Sequence, residues 1–223
     1  MDRATLAKYV DHTLLKPEAT ADDVIALCNE ANELGVFSVC VSPSFVSLAK
    51  TTVSSGVAVA TVCGFPSGKH ETEIKVAEAA LSVAQGVDEV DMVIDVGRGL
   101  MGDWDYVQSQ ITAVRKVTQG KVLKVILETA ALNDDQIKNA CLASDFGGAD
   151  FVKTSTGFHP AGGAELRAIE IMQKTVGGRL GIKASGGIRT AEFALELIQA
   201  GATRLGLSGT RAVLDGVTAT DNY

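Results

Sequence analysis

Phe151-Val152-Lys153-Thr154-Ser155-Thr156-Gly157-Phe158 places a lysine at the end of a short apolar run, followed at once by hydroxyls and a glycine. Thirty positions on, Lys183-Ala184-Ser185-Gly186-Gly187-Ile188 repeats the pattern, so Lys-x-Ser-x-Gly closes two consecutive strand-like segments. A repeat of roughly 25–30 residues is the length of one strand–helix unit. Working outward, the same unit recurs along the chain. Strands are expected at 9–14, 37–41, 57–63, 89–94, 121–127, 150–153, 180–184 and 204–207. Between them lie stretches with helical apolar spacing, such as Val24, Leu27, Cys28, Ala31 and Leu34, which stop at glycines such as Gly35. Eight regular units with no composition break predict an α/β, single-domain (β/α)8 TIM barrel. No Gly-x-Gly-x-x-Gly follows the first strand, which removes the main sign of a dinucleotide fold. Residues 1–216 are expected to form the barrel, and 217–223, without apolar periodicity, a flexible tail.

The bulk composition narrows the function. A formal charge of −7 over 223 residues argues against nucleic-acid binding, though a local site can still be positive. Apolar runs are only a few residues long, so no membrane span is expected. The N-terminal Met1-Asp2-Arg3-Ala4-Thr5 has no secretory pattern. Cys28, Cys40, Cys63 and Cys141 form no Cys-x-x-Cys pair and read as reduced thiols, which together place the protein in the cytoplasm. His12, His70 and His159 lack metal-ligand spacing, so no metal is expected.

In such a barrel the chemistry sits at the C-terminal strand ends. Those ends carry Asp11, Cys40, the Gly64–Gly68 turn, Asp91, Glu128, Lys153, Lys183 and Ser208. Strand alternation turns Val90, Met92 and Ile94 toward the helices and Glu89 and Asp91 inward, with Lys124, Ile126 and Glu128 sharing a face. A lysine that attacks a carbonyl must titrate nearer ~7–8 than its ordinary ~10.4, a difference of roughly 4 kcal/mol. A second ammonium ~5 Å away contributes about 3 kcal/mol at an effective dielectric of ~20, and partial burial can supply the rest. Lys153 and Lys183 on neighbouring strands fit that arrangement, with Asp91 moving protons through a water. Asp91, Lys124 and one lysine could instead form an ion network that only fills the interior. Ser185-Gly186-Gly187 and Ser208-Gly209 follow the last two strands, where backbone N–H groups commonly bind phosphate. Cys40 reads as pocket wall, and Ser155 and Thr156 as shaping the mouth. These residues leave open a Schiff-base enzyme acting on another sugar phosphate or keto acid, an isomerase using Asp91 or Glu128, and a non-catalytic sugar-phosphate-binding regulator.

Asp11-His12-Thr13-Leu14-Leu15-Lys16-Pro17, Gly64-Phe65-Pro66, Glu89-Val90-Asp91-Met92-Val93, Lys124-Val125-Ile126-Leu127-Glu128-Thr129 and the two lysine motifs together resemble the deoxyribose-phosphate aldolase family, in the right order along essentially the whole chain. The resemblance implies a class I, metal-independent aldolase with no cofactor, which reversibly cleaves 2-deoxy-D-ribose 5-phosphate to D-glyceraldehyde 3-phosphate and acetaldehyde. Lys153 would form the Schiff base, Lys183 lower its pKa, and Asp91 handle protons with Asp11 in support. Gly157, Gly186, Gly187, Ser208 and Gly209 would hold the phosphate, with Thr156 and Cys40 as further substrate-binding residues of the pocket. Tyr223 matches a terminal tyrosine used in proton transfer, and a homodimer or larger homo-oligomer is expected. Phe158 departs from the pattern, standing where some members carry a lysine near the phosphate, and Ser208-Gly209 replaces a Ser-Ser pair.

Overall fold

The computed structural model describes residues 1–220. In chain order the elements are α1 (Arg3–Ala7), β1 (Val10–Leu14), α2 (Ala21–Leu34), β2 (Ser38–Val41), α3 (Val46–Thr52), β3 (Ala58–Cys63), α4 (Thr72–Ala84), β4 (Glu89–Val93), α5 (Val96–Leu100) and α6 (Trp104–Val117). They continue with β5 (Val122–Ile126), α7 (Asp134–Phe146), β6 (Phe151–Lys153), α8 (Leu166–Val176), β7 (Gly181–Ser185), α9 (Ala191–Gln199), β8 (Arg204–Leu207) and α10 (Thr210–Leu214). Each strand is parallel to the next and β8 returns to β1, which closes an eight-stranded (β/α)8 TIM barrel.

Local chemistry sets the element ends. Thr20 and Asp23 form a reciprocal capping box at the start of α2, and Gly35 ends it at φ 64°, a left-handed geometry that glycine adopts without a Cβ penalty. Asn133 and Gln136 do the same for the start of α7. Two differences from the sequence reading have plain causes. Gly97-Arg98-Gly99 lies within helix α5 rather than a turn, because the Asp95 side chain accepts from Arg98 N–H and caps it. Ahead of β1 stands α1, capped by Asp2, a turn too short to show apolar periodicity.

Packing separates the two faces of every strand. On β4, Val90 and Met92, with Ile94 just beyond, join the main apolar cluster under the helices, and each such buried side chain contributes about 1.5–3 kcal/mol. Glu89 and Asp91 face the interior and are buried with their neighbours' charges. The floor of the barrel is aromatic. Phe37 and Phe151 flank the Arg204 guanidinium, whose carbon lies 3.5 and 5.5 Å from the two ring centroids. Gly181 makes room for this, since a Cβ there would stand 2.3 Å from the Phe151 ring. Near the other end of the chain, Ala219 packs against Gly209, and its N–H donates to Arg189 O at 2.9 Å.

Candidate active site

Strand register brings the two lysine motifs side by side: Lys153 pairs with Lys183 between β6 and β7. The hydroxyls in the motifs lace these strands together. Thr154 Oγ1 donates to Ser185 O and accepts from Ser185 N–H, both at 3.1 Å, and Ser185 Oγ donates to Ser155 O at 2.7 Å. The Lys-x-Ser repeat is thus a clamp that fixes two lysines on adjacent strands.

Both ammonium nitrogens reach the same oxygen. Lys153 Nζ lies 2.9 Å and Lys183 Nζ 2.8 Å from Asp91 Oδ2, while Lys124 Nζ holds Asp91 Oδ1 at 2.7 Å. Asp91 touches Lys153 directly. Lys183 also contacts Asp11 Oδ2. Asp11 Oδ1 accepts from Ser38 Oγ and Arg204 Nη1, each at 2.7 Å. Below them Glu89 joins Lys124 at 2.6 Å and Arg204 at 3.0 Å.

The electrostatics divide the lysines. Burial pushes Lys153 below the ordinary lysine value, and the Lys183 ammonium adds to that against the pull of Asp91. For Lys183 burial acts the same way, but Asp11 and then Asp91 outweigh it and hold the group well above its usual range. Lys124 is likewise raised: burial opposes its charge, and Asp91 leads the carboxylates that override it. Asp91 stays far below the usual carboxylate range because Lys124, Lys153 and Lys183 overcome its desolvation. Lys153 is 3% exposed, whereas Lys124 and Lys183 are at 0%, so the lysine whose pKa is lowered is also the least buried of the three.

Around this cluster the mouth is mixed. Cys40 is buried with Leu15, Ala60 and Val62, and Phe65 and Phe158 pack on them edge to face at 5.3 Å. Burial raises the Cys40 thiol, which suits a wall and not a nucleophile. Phe158 belongs to this apolar wall. Thr156 faces Glu128: its N–H donates to Oε1 at 3.1 Å and its Oγ1 to Oε2 at 2.6 Å. Glu128 adopts φ 58°, so it leaves the strand alternation after Ile126 and reaches the β6–α8 loop instead of sharing the face of Lys124. Gly157, Gly186 and Gly187 have φ of 86°, 86° and 75°, which exposes backbone at the mouth in a form that favours glycine. A Cβ on Gly163 would meet Gly186 O at 2.3 Å, so these two loops pack backbone on backbone. Ser208 lines a groove of about 650 Å³ between β1 and α2, beside the lysine cluster rather than over it. Tyr223 lies outside the described residues.

Arg204 and Ser38 were not singled out from the sequence. Both open a strand, where a polar residue reads as a solvated end; only the alternation with Gly206 and with Cys40 would have turned them inward. His12 points away from Asp11, between Thr210 Oγ1 at 2.8 Å and Glu30 Oε2 at 3.0 Å.

Comparison with known proteins points to one family. A deoxyribose-phosphate aldolase of Kocuria rhizophila is 62% identical over 216 residues, covering 96% of this chain and 98% of the relative. One of Mycolicibacterium paratuberculosis is 61% identical over 219 residues, with 96% and 98% covered. The tetrameric deoxyribose phosphate aldolase structure from Aeropyrum pernix superposes with a TM-score of 0.87 at 32% identity, over 96% of this chain and 91% of that one. The family model described as DeoC/LacD family aldolase matches residues 5–216. With the barrel, the paired lysines and this match across almost its whole length, the chain belongs to the DeoC/LacD family of aldolases.

Proposed function

We propose that this aldolase carries out the reaction its relatives are named for, the reversible cleavage of 2-deoxy-D-ribose 5-phosphate to D-glyceraldehyde 3-phosphate and acetaldehyde, through a Schiff base on Lys153. The observation that carries the reading is the shared Asp91 oxygen, which keeps a protonated Lys183 beside a more exposed Lys153 of lowered pKa. The Lys153 amine attacks the C1 aldehyde, the carbonyl electrons move to oxygen, and loss of water leaves an iminium. Asp91 takes the C3 hydroxyl proton through a water. The C2–C3 bond breaks, and its electrons pass to the iminium to form an enamine. Protonation at C2 and hydrolysis release acetaldehyde and free the amine. Lys183 supplies and recovers protons through Asp91, and Asp11 keeps Lys183 charged. Tyr223 is assigned the C2 proton, a role that full activity after its deletion would remove.

Backbone amides of Gly157, Gly186, Gly187 and Gly209, with Ser208 and the loop held by Thr156, take the phosphate. Phe158 and Cys40 face the apolar part of the sugar chain. Phosphate affinity then rests on the backbone rather than on a lysine at position 158. The protein works as a homo-oligomer, as the Aeropyrum pernix relative does, and in the cytoplasm, where its four buried free cysteines stay reduced. Among the described residues no helix is long and apolar enough to cross a membrane.

Turnover tests the reading. With 2-deoxyribose 5-phosphate, release of glyceraldehyde 3-phosphate and acetaldehyde is expected, and Lys153→Met should lower it at least ~10³-fold. Release from a phosphorylated keto acid but not from the deoxy sugar would favour a different Schiff-base enzyme. Binding without release would point to a regulator.

A further inference from the structure

A TIM-barrel interior is ordinarily filled by layers of branched apolar side chains. Here, among the described residues, it holds three carboxylates, Asp11, Glu89 and Asp91, against four bases, Lys124, Lys153, Lys183 and Arg204. All seven are nearly or fully buried, Arg204 being the most exposed at 6%. An uncompensated charge in such a place is costly. If every carboxylate is ionised and every base protonated, one positive charge is left over. The cluster balances when one base gives up its proton.

Contacts decide which base that is. Arg204 cannot be deprotonated. Lys183 lies between Asp11 and Asp91. Lys124 lies between Asp91 at 2.7 Å and Glu89 at 2.6 Å. Lys153 meets a single carboxylate oxygen and shares it with Lys183. The other titratable group that influences Lys153 is the Cys40 thiol of β2, which burial keeps neutral. Arg204 and Glu89 close the bottom of the network. Arg204 Nη1 bridges Asp11 at 2.7 Å and Glu89 at 3.0 Å, sealed beneath by Phe37.

We propose that Arg204 and Glu89 are positioning residues for the Schiff-base step, fixing the charge of the buried cluster so that the proton it lacks is the one missing from Lys153. Neither touches the reacting atoms. They act through Asp11 and Lys124, which hold Lys183 and Asp91 in their charged forms. The proposal rests on Lys153 being the Schiff-base lysine.

The test is the pH dependence of borohydride trapping of acetaldehyde on Lys153, read by mass spectrometry of its peptide in the full-length protein. Glu89→Gln removes a negative charge and should move the midpoint of trapping down by about one pH unit, the effect of a unit charge roughly 10 Å away at an effective dielectric near 20. Arg204→Leu leaves the cluster one positive charge short, so Lys153 takes up a proton and the midpoint rises by a similar amount. The double variant restores the count and should return near wild type. A purely structural role would lower trapping at all pH values without shifts of opposite sign. Midpoints that stay put, or move the same way in both single variants, overturn the proposal. If Arg204→Leu does not fold, Glu89→Gln decides alone: an unchanged or raised midpoint overturns it. If wild-type Lys153 is not trapped at any pH, the Schiff-base reading itself fails and takes this proposal with it, a result distinct from trapping without the shifts.

Discussion

Lys153 and Lys183 carry the same side chain on paired strand positions, yet their surroundings pull them apart. One carboxylate oxygen attends Lys153, while Lys183 bridges Asp11 and Asp91. Replacing Lys183 with leucine removes a positive charge and leaves Asp91 to hold the proton on Lys153. The pKa of Lys153 should then rise, so that trapping of acetaldehyde at pH 7 falls at least ~10-fold and recovers as pH rises toward ~10. Unchanged trapping at pH 7 would contradict the electrostatic account. At this scale the two lysines and Asp91 were legible from sequence, because an ionisable residue at the end of an apolar run is conspicuous. Glu128 was misplaced. Period-two reasoning holds only while the strand lasts, and the chain leaves it after Ile126 to adopt a left-handed turn. Phe158 was legible only as a missing charge. Its role in an apolar wall depends on Phe65, which lies far away in sequence.

The elements outside the barrel hold a further buried lysine with a different task. Lys75 on α4 is fully buried and donates to Val93 O at the end of β4 and to Gln110 Oε1 on α6, both at 2.9 Å. Its stem fills the space above Gly64, where a Cβ would stand 2.8 Å from Cε. These acceptors are neutral, and burial lowers its pKa to about 8. Between about pH 8 and its unfolded value near 10.4 the unfolded chain binds the extra proton, so stability from this group rises with pH across that window, by up to about 3 kcal/mol. A neutral amine still donates both hydrogen bonds. Urea denaturation of wild type and Lys75→Met should therefore give a stability difference that widens in favour of wild type between pH 7.5 and 10. A constant difference would contradict the assignment. The helix around Lys75 was legible from its periodicity. That the lysine lies on its buried side was not, since a charged residue beside Glu73 and Glu78 reads as solvated.

At the scale of the molecule, the barrel is an apolar shell around a polar axis. Val, Ile, Leu and Met on the outward strand faces pack under the helices, while carboxylates and bases fill the interior from Arg204 at the floor to Lys153 at the mouth. Strand–helix alternation made the shell legible, because it depends on local periodicity. Which charges meet along the axis depends on barrel closure: β8 beside β1 brings Arg204 to Asp11 across 193 positions of sequence. Buried ion clusters are poor stabilisers, so their place along the axis is better explained by the protonation they impose on one amine. The most direct measurement of that claim is reductive trapping at neutral pH: incubation with acetaldehyde and borohydride, followed by peptide mapping. The account predicts an N-ethyl group on Lys153, absent from Lys124 and Lys183. Modification of Lys183 in place of Lys153, or no modification of the axial lysines, would contradict it.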